Sequence, residues 1–497
     1  MKNRLRILFL SSEVAPFAKT GGLADVSSAL PKALFDMGHD IRVLTPKYGS
    51  ISDRKYILRE VIRLKKIPIK MGGKEHITSA KSAFIPDAKV QIYFLEYKPF
   101  FGHQDLYVDS QTGKDFPDNA ERFMLFSRAV LETIKLLVWQ PQIIHCNDWQ
   151  TAMIPYLLKT EFKEDPFFAK TATVLSIHNL AFQGSFDPKV ITKLGLPEDA
   201  AKPGSDLEIY DKINFLKAGI LNADIITTVS PTYAQEIQDD PELGAGLGEV
   251  LQQRRQDIYG ILNGVDQTVW NPEKDSFLEN KYDSTNLDGK IENKKILLKK
   301  SKLPFDESIP VIGIISRLTD QKGFDLIAKV IDKIIKLNVQ LVVLGTGDSK
   351  YHKLFKDISK KYPKNVAVFL RFDEELAHLI EAGSDIFLMP SRYEPCGLNQ
   401  MYSLKYGTVP VVRNTGGLAD TIIDFIEDPN KGNGFCFDAY ESGAMLQAIK
   451  NAVDTFKDQK TWQKLIKRGM RQDFSWQTAA DKYVKLYSKL ESNKRKK

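Results

Sequence analysis

Short, continuously apolar runs rich in β-branched residues recur along the chain, with amphipathic stretches between them. In the first half they are RILFLSSE, DIRVLTPKY, VQIYFLEY, PQIIHCND, ATVLSIHNL and ADIITTVS. In the second half they are PVIGIISRL, VQLVVLGTG, NVAVFLR, SDIFLMPS and TVPVVRNT. Runs of this kind suit parallel strands covered on both faces, whereas a strand with one wet face would alternate. Segments such as AERFMLFSRAVLETIKLL and LIAKVIDKIIKL carry helical periodicity between them. The pattern predicts an α/β protein of repeated strand–helix units, folded as doubly wound sheets.

At 497 residues the chain exceeds what one hydrophobic core supports. The strand pattern thins between about Asn271 and Pro310, where polar and charged residues dominate, and this places a boundary near Val265. Residues 1–264 and 265–474 then form two α/β domains. Residues 475–497 add a terminal helix, TAADKYVKLYSKL, whose home domain the pattern leaves open. The stretch from Arg54 to Asp115 has short, partly alternating strands and reads as an antiparallel insertion.

Composition adds mainly exclusions. Hydrophobic content of 43% and charged content of 27% are those of an ordinary globular protein. No apolar run approaches the roughly 18 residues of a membrane span. The opening MKNRLRILFLSSE has too short an apolar run for a secretory leader and no small-residue cleavage site, so it reads as a buried first strand. Of the net charge of +7, four charges sit in the terminal run Lys494–Lys497, which reads as a solvated tail. Neither nucleic acid nor an acidic membrane is implied as a partner. Cys146, Cys396 and Cys436 are sparse and lack metal-ligand spacing, which fits a reducing cytoplasm.

The hexapeptide TGGLAD occurs twice, after Lys19 and after Asn414. Each copy places a glycine pair, Gly21–Gly22 or Gly416–Gly417, between a strand-and-loop segment and a helix start. Glycine permits close backbone approach, and a helix N-terminus favours anions, so the copies read as two ligand-facing lips or as two unrelated sharp turns. Lys19 joins Arg317 and Lys322, in SRLTDQKG, as basic residues at expected strand ends, a combination suited to a diphosphate. Glu394, in MPSRYEPCGLNQ, could orient a sugar hydroxyl or a ribose, or could be a capping or salt-bridged glutamate. Asp148 and His178 follow consecutive strands and either share a site or are ordinary hydrogen-bonded structure. Metalloprotease, EF-hand and serine-hydrolase motifs are missing, so no metal is expected at the site.

In order, KTGGLADV, HNLAFQG, FLKAGI, ILNGVD, SRLTDQKG, PSRYEPCGLNQ and TGGLADT resemble the bacterial glycogen synthases, a family shared with plant starch synthases. The resemblance spans nearly the whole chain. It implies two Rossmann-like domains facing a deep cleft (the GT-B glycosyltransferase architecture), with the last helix crossing back to the first domain. It implies glucan acceptor on the first domain, sugar nucleotide on the second, and cytoplasmic transfer of glucose from ADP-glucose to an α-1,4-glucan with retention of configuration. No cofactor is implied. Lys19, Gly21 and Gly22 match the loop beside the donor diphosphate, and Arg317 and Lys322 the cations that neutralise it. Glu394 matches an essential glutamate, followed by backbone of Cys396, Gly397 and Leu398 that holds donor hydroxyls. Asp148, His178 and Asn263 match residues around the transferred glucose, and Gly416–Gly417 a loop opposite the first glycine pair. Phe372 stands where many relatives stack a tyrosine on the base, and Asn399 replaces a common threonine. Asn147 and Gln150 replace histidines flanking the aspartate. A UDP-glucose-dependent transferase and a non-catalytic glucan-binding relative are the competing readings.

Overall fold

The computed structural model describes residues 4–496, with side chains through Lys494. The chain divides into two compact units. The first comprises the chain through Val229, Ala234–Gly264 and the segment from Trp476 onward; the second comprises Ser230–Tyr233 and Val265–Ser475.

The first unit is built on a ten-stranded sheet. Across it run Ile258–Gly260, Ile225–Thr228, Ala172–Ile177, Ile143–Asn147, Arg6–Leu10, Asp40–Pro46 and Gln91–Glu96, all parallel. All six strands expected in this half are present. Between Arg54 and Asp115 the sheet turns antiparallel: Lys74–Phe84 pairs with both Gln91–Glu96 and Ile67–Met71, and so extends the main sheet. Gly72 and Gly73, both at positive φ, make the tight turn of that hairpin. A small sheet of Ser185–Phe186, Lys212–Asn214 and Glu208–Ile209 has strands too short to leave a periodic signal.

The second unit carries a six-stranded parallel sheet in the order Val366–Phe369, Gln340–Leu344, Val311–Ile315, Ile386–Met389, Val409–Arg413, Phe435–Phe437. Numbered along the chain this is 3-2-1-4-5-6, the doubly wound order, and the parallel strands of the first unit follow the same order. In both sheets the winding reverses between strands one and four, and that is where such folds bind ligands.

Two sequence expectations are corrected. The charged stretch after Asn271 contains the helix Asp288–Lys300, whose inward positions Lys290, Asn293, Lys294 and Leu297 are buried. Its core face is disguised because lysines occupy it. Lys290 Nζ donates to the carbonyls of Ala382 and Tyr406 and to Thr408 Oγ1, while Lys294 pairs with Asp385 at 2.8 Å. Burial holds the Lys290 ammonium down at about 7. The terminal basic run is likewise not simply solvated. The helix Trp476–Lys496 packs on Gly22–Asp36, and Lys494 pairs with Asp224 at 3.1 Å. The side chains of Arg495, Lys496 and Lys497 lie outside the described residues.

That last helix closes the first unit through a buried polar chain. Tyr487 Oη lies 2.6 Å from His145 Nδ1, whose Nε2 lies 2.5 Å from Ser176 Oγ. Burial, assisted by nearby His178, holds the His145 imidazole down at about 3, so it is neutral in the folded state. An unfolded histidine titrates near 6.5. Stability linked to His145 is therefore complete above that pH and falls as pH drops from about 6.5 towards 3. In urea unfolding, His145→Gln is expected to flatten this acid dependence. Tyr487→Phe, which orphans Nδ1, is expected to cost about 1–3 kcal/mol at pH 7.

Candidate functional site

In the first unit the chain leaves strand Arg6–Leu10 at the switch point and reaches Glu13, a buried carboxylate. Glu13 accepts from the Thr20 N–H at 2.5 Å, the Thr20 hydroxyl at 2.6 Å, the Gly21 N–H at 3.2 Å and the Tyr107 hydroxyl at 2.9 Å. Two backbone donors of the glycine loop are thus already committed to the protein's own carboxylate. A Cβ on Gly21 or Gly22 would meet nothing within 4 Å, so open space rather than packing surrounds this pair. Lys19 is exposed and pairs with Asp25, in the first turn of the following helix, at 2.7 Å. A surface pair of this kind is worth at most about 1 kcal/mol, so an arriving anion can displace it.

On the adjacent strand, Asp148 follows Ile143–Asn147 with φ +56°, and one strand further on His178 follows Ala172–Ile177. The left-handed turn aims the Asp148 carboxylate at the neighbouring strand end, where Oδ1 accepts the His178 N–H at 2.7 Å. His178 Nε2 lies 2.9 Å from Asn147 Oδ1. Burial pushes the Asp148 carboxyl up to about 7, assisted by the Glu13 charge and opposed by the His178 and Asn179 amides. Burial holds the His178 imidazole down at about 4. At neutral pH the pair is an uncharged imidazole beside a carboxyl that gives up its proton easily. Asn263 is buried with Oδ1 unpartnered, as is Gln150 Oε1.

In the second unit Arg317 follows strand Val311–Ile315. It is exposed, and its guanidinium has no partner among the described residues. Lys322 ends the 3₁₀ turn Asp320–Lys322 and places Nζ 2.5 Å from Glu394 Oε2, which also accepts from Ser391 Oγ at 3.1 Å. Gly323 makes this approach possible: at φ +73° its Cβ would stand 1.9 Å from the Pro390 carbonyl oxygen. The second glycine pair packs behind Glu394. A Cβ on Gly416 would sit 2.0 Å from the Glu394 carbonyl oxygen, and one on Gly417 1.9 Å from that of Cys396. Gln400 Nε2 donates to the carbonyls of Cys396 and Gly397, fixing the loop that leads through Leu398 into helix Asn399–Lys405. Asn399 Nδ2 donates to the Ile315 carbonyl at 2.7 Å, which fixes that helix to the end of the first strand. Phe372, in the loop after Val366–Phe369, is 85% exposed.

The two TGGLAD copies therefore differ locally. The first opens a 15-residue helix at its second glycine, beneath open space; the second opens a six-residue helix at its first glycine, packed against backbone. Their aspartates also diverge. Asp25 pairs with Lys19, whereas Asp420 accepts from Ser230, and from the Thr232 hydroxyl at 2.7 Å. Sequence reasoning missed Glu13, Tyr107 and Asp25, although Glu13 stands just past the first strand, where the fold gathers polar groups. Among the described residues no three His, Cys, Asp or Glu side chains converge as a metal-binding set, and no helix is long and apolar enough to cross a membrane.

Two doubly wound sheets in one chain, the second with a lysine–carboxylate pair at its switch point, match the GT-B class of glycosyltransferase. Residues 6–253 match the family model for the starch synthase catalytic domain, and residues 296–471 that for group 1 glycosyl transferases. The chain is 47% identical to the glycogen synthase of Geotalea daltonii, over 97% of its length and 98% of the relative's. It is 47% identical to that of Thermosipho melanesiensis, over 99% and 100%. The solved catalytic domain of starch synthase IV from Arabidopsis thaliana, bound to ADP and acarbose, superposes with a TM-score of 0.88. That match has 33% identity and covers 99% of this chain and 100% of that one. The chain belongs to the glycogen synthase family.

Glu394 and Lys322 form a largely buried ion pair, so truncation and neutralisation should differ. Glu394→Ala, which strands a buried ammonium, is expected to cost about 3–5 kcal/mol in chemical unfolding, and Glu394→Gln much less. For Asp148 the folded pKa lies above the unfolded value of about 4, so the wild type loses stability as pH rises from about 4 to about 7. Asp148→Asn should melt higher than wild type at pH 8, with the difference closing by pH 4.

Proposed function

We propose that the protein transfers glucose from ADP-glucose to the nonreducing 4-hydroxyl end of an α-1,4-glucan, with retention of configuration. The carrying observation is the Lys322–Glu394 pair at the switch point of the second unit, with Arg317 exposed and unpaired past strand Val311–Ile315. The relative solved with ADP supports an adenine nucleotide, and its acarbose a glucan-like partner. The second unit takes the donor, with its base against the exposed Phe372 ring. Gly416 and Gly417 let the Glu394 loop pack closely enough to hold the donor sugar through Cys396, Gly397 and Leu398. The first unit takes the glucan, and its Lys19 exchanges Asp25 for the donor diphosphate within the Gly21–Gly22 loop.

As the bond from glucose C1 to the diphosphate breaks, its electron pair passes to the leaving phosphate oxygen. Arg317, Lys322 and Lys19 stabilise that charge, and losing one such preorganised donor costs on the order of 10²–10³ in rate. Glu394, held by Lys322 and Ser391, positions the donor and neutralises the lysine between turnovers; it is not a covalent nucleophile. The acceptor hydroxyl attacks on the face the diphosphate leaves and gives its proton to the departing phosphate. Asp148, His178 and Asn263 contact the hydroxyls of the transferred glucose, Asn263 through its unpartnered oxygen. The three cysteines are all free, which fits a cytoplasmic setting.

Nucleotide release measured with and without glycogen, from ADP-glucose and from UDP-glucose, tests this reading. Glycogen-dependent ADP release is expected, reduced on the order of 10²–10³-fold in Arg317→Ala. Preference for UDP-glucose would overturn the donor, and binding of glycogen without release from either nucleotide sugar would overturn catalysis.

A further inference from the structure

Asn147 is fully buried at the end of strand Ile143–Asn147, and its amide has two neighbours. Nδ2 lies 2.8 Å from the Leu10 carbonyl oxygen, on the adjacent parallel strand. Oδ1 lies 2.9 Å from His178 Nε2. A carbonyl only accepts, so the amide nitrogen must face Leu10 and the amide oxygen must face His178. That oxygen also only accepts, so Nε2 must carry a proton. A neutral imidazole has one N–H, which leaves Nδ1 as a bare lone pair; Nδ1 makes no hydrogen bond among the described residues. The asparagine is itself held in place, its N–H donating to Thr151 Oγ1 at 2.6 Å. The His178 backbone is fixed from the other side by Asp148.

We propose that Asn147 is a positioning residue that locks His178 in the Nε2–H tautomer, so that Nδ1 serves as a fixed acceptor for a hydroxyl of the transferred sugar. This rests on the placement of His178 at the sugar proposed above. A histidine at position 147 could donate or accept and would itself titrate, letting the His178 ring exchange tautomers. The asparagine does not titrate, and the oxygen it turns to His178 can only accept, so the acceptor at Nδ1 persists as long as His178 is neutral. Its titratable surroundings are Asp148, which holds its backbone, His145 on the neighbouring strand, and Glu13 beyond Asp148. None of these makes a hydrogen bond to the ring.

Long-range proton–nitrogen correlation spectra of ¹⁵N-histidine-labelled enzyme read the tautomer directly, with His178 assigned by its absence in His178→Gln. Wild type at pH 7 is expected to show a protonated Nε2 and a bare Nδ1. Asn147→Leu should mix the two tautomers and lower kcat on the order of 10-fold, while the donor KM moves less than about 3-fold. Asn147→Asp keeps an acceptor but adds a charge facing Nε2, which stabilises the imidazolium. It should therefore raise the His178 pKa and move the acid limb of kcat upward by about one pH unit or more. Its second oxygen then faces the Leu10 carbonyl, so reduced stability is expected. A merely structural asparagine would move melting temperature in both variants and leave tautomer and acid limb alone. A protonated Nδ1 in wild type, or an unchanged tautomer in Asn147→Leu, overturns the lock. If Asn147→Leu does not fold, an unshifted His178 pKa in Asn147→Asp overturns it instead. Wild-type rates in His178→Gln, with the tautomer as expected, would overturn the sugar-facing role and the placement of His178, leaving the lock itself intact.

Discussion

A parallel sheet wound on both faces has no wet side, and everything chemical in this protein follows from that. Strands such as Ile143–Asn147 and Ala172–Ile177 are buried along their whole length, so polar groups can reach a ligand only past the strand ends. The doubly wound order then separates the loops at one place per sheet, between the first and fourth strands. In the first unit that place receives Glu13, Lys19 and Asp148, with His178 one strand further on. In the second it receives Arg317, Lys322, Ser391 and Glu394. Desolvation there does the tuning: it raises the carboxyl of Asp148 and lowers the imidazole of His178 without any ion pair at either group.

Much of this was legible in the sequence because the determining signal is local. Eleven continuous apolar runs become eleven parallel strands, since β-branched runs of five or so residues have few other ways to be buried. That Asp148, His178 and Arg317 lie past strand ends was legible for the same reason: a polar residue just after such a run lies at the carboxyl edge. The signal failed where burial was achieved by unusual means. Helix Asp288–Lys300 was hidden because lysines face its core, each satisfied by carbonyls, a hydroxyl or a carboxylate that the local sequence does not reveal. Strands of two or three residues, such as Ser185–Phe186 and Phe435–Phe437, are too short to show a period.

The repeated hexapeptide shows how far six identical residues determine structure. Both copies make a turn into a helix, because the glycine pair and the Leu-Ala-Asp that follows favour it. Everything else differs. Glu13 takes up the amides of the first loop, leaving its glycines open above; the second is pressed against the backbone of Glu394 and Cys396, where nothing larger than glycine fits. One pair keeps a space clear, and the other closes a gap so that a carboxylate can be held still.

The contact between His145 and Tyr487 spans 342 positions of chain. The whole second unit is strung between these partners, entering at Val265 and leaving at Ser475, which pair as an isolated bridge. During synthesis the first unit emerges early yet lacks the helix that covers Gly22–Asp36 and supplies the Tyr487 hydroxyl to His145. The first unit is thus completed only after the second has been translated, and until helix Trp476–Lys496 follows, its sheet has a flank left uncovered.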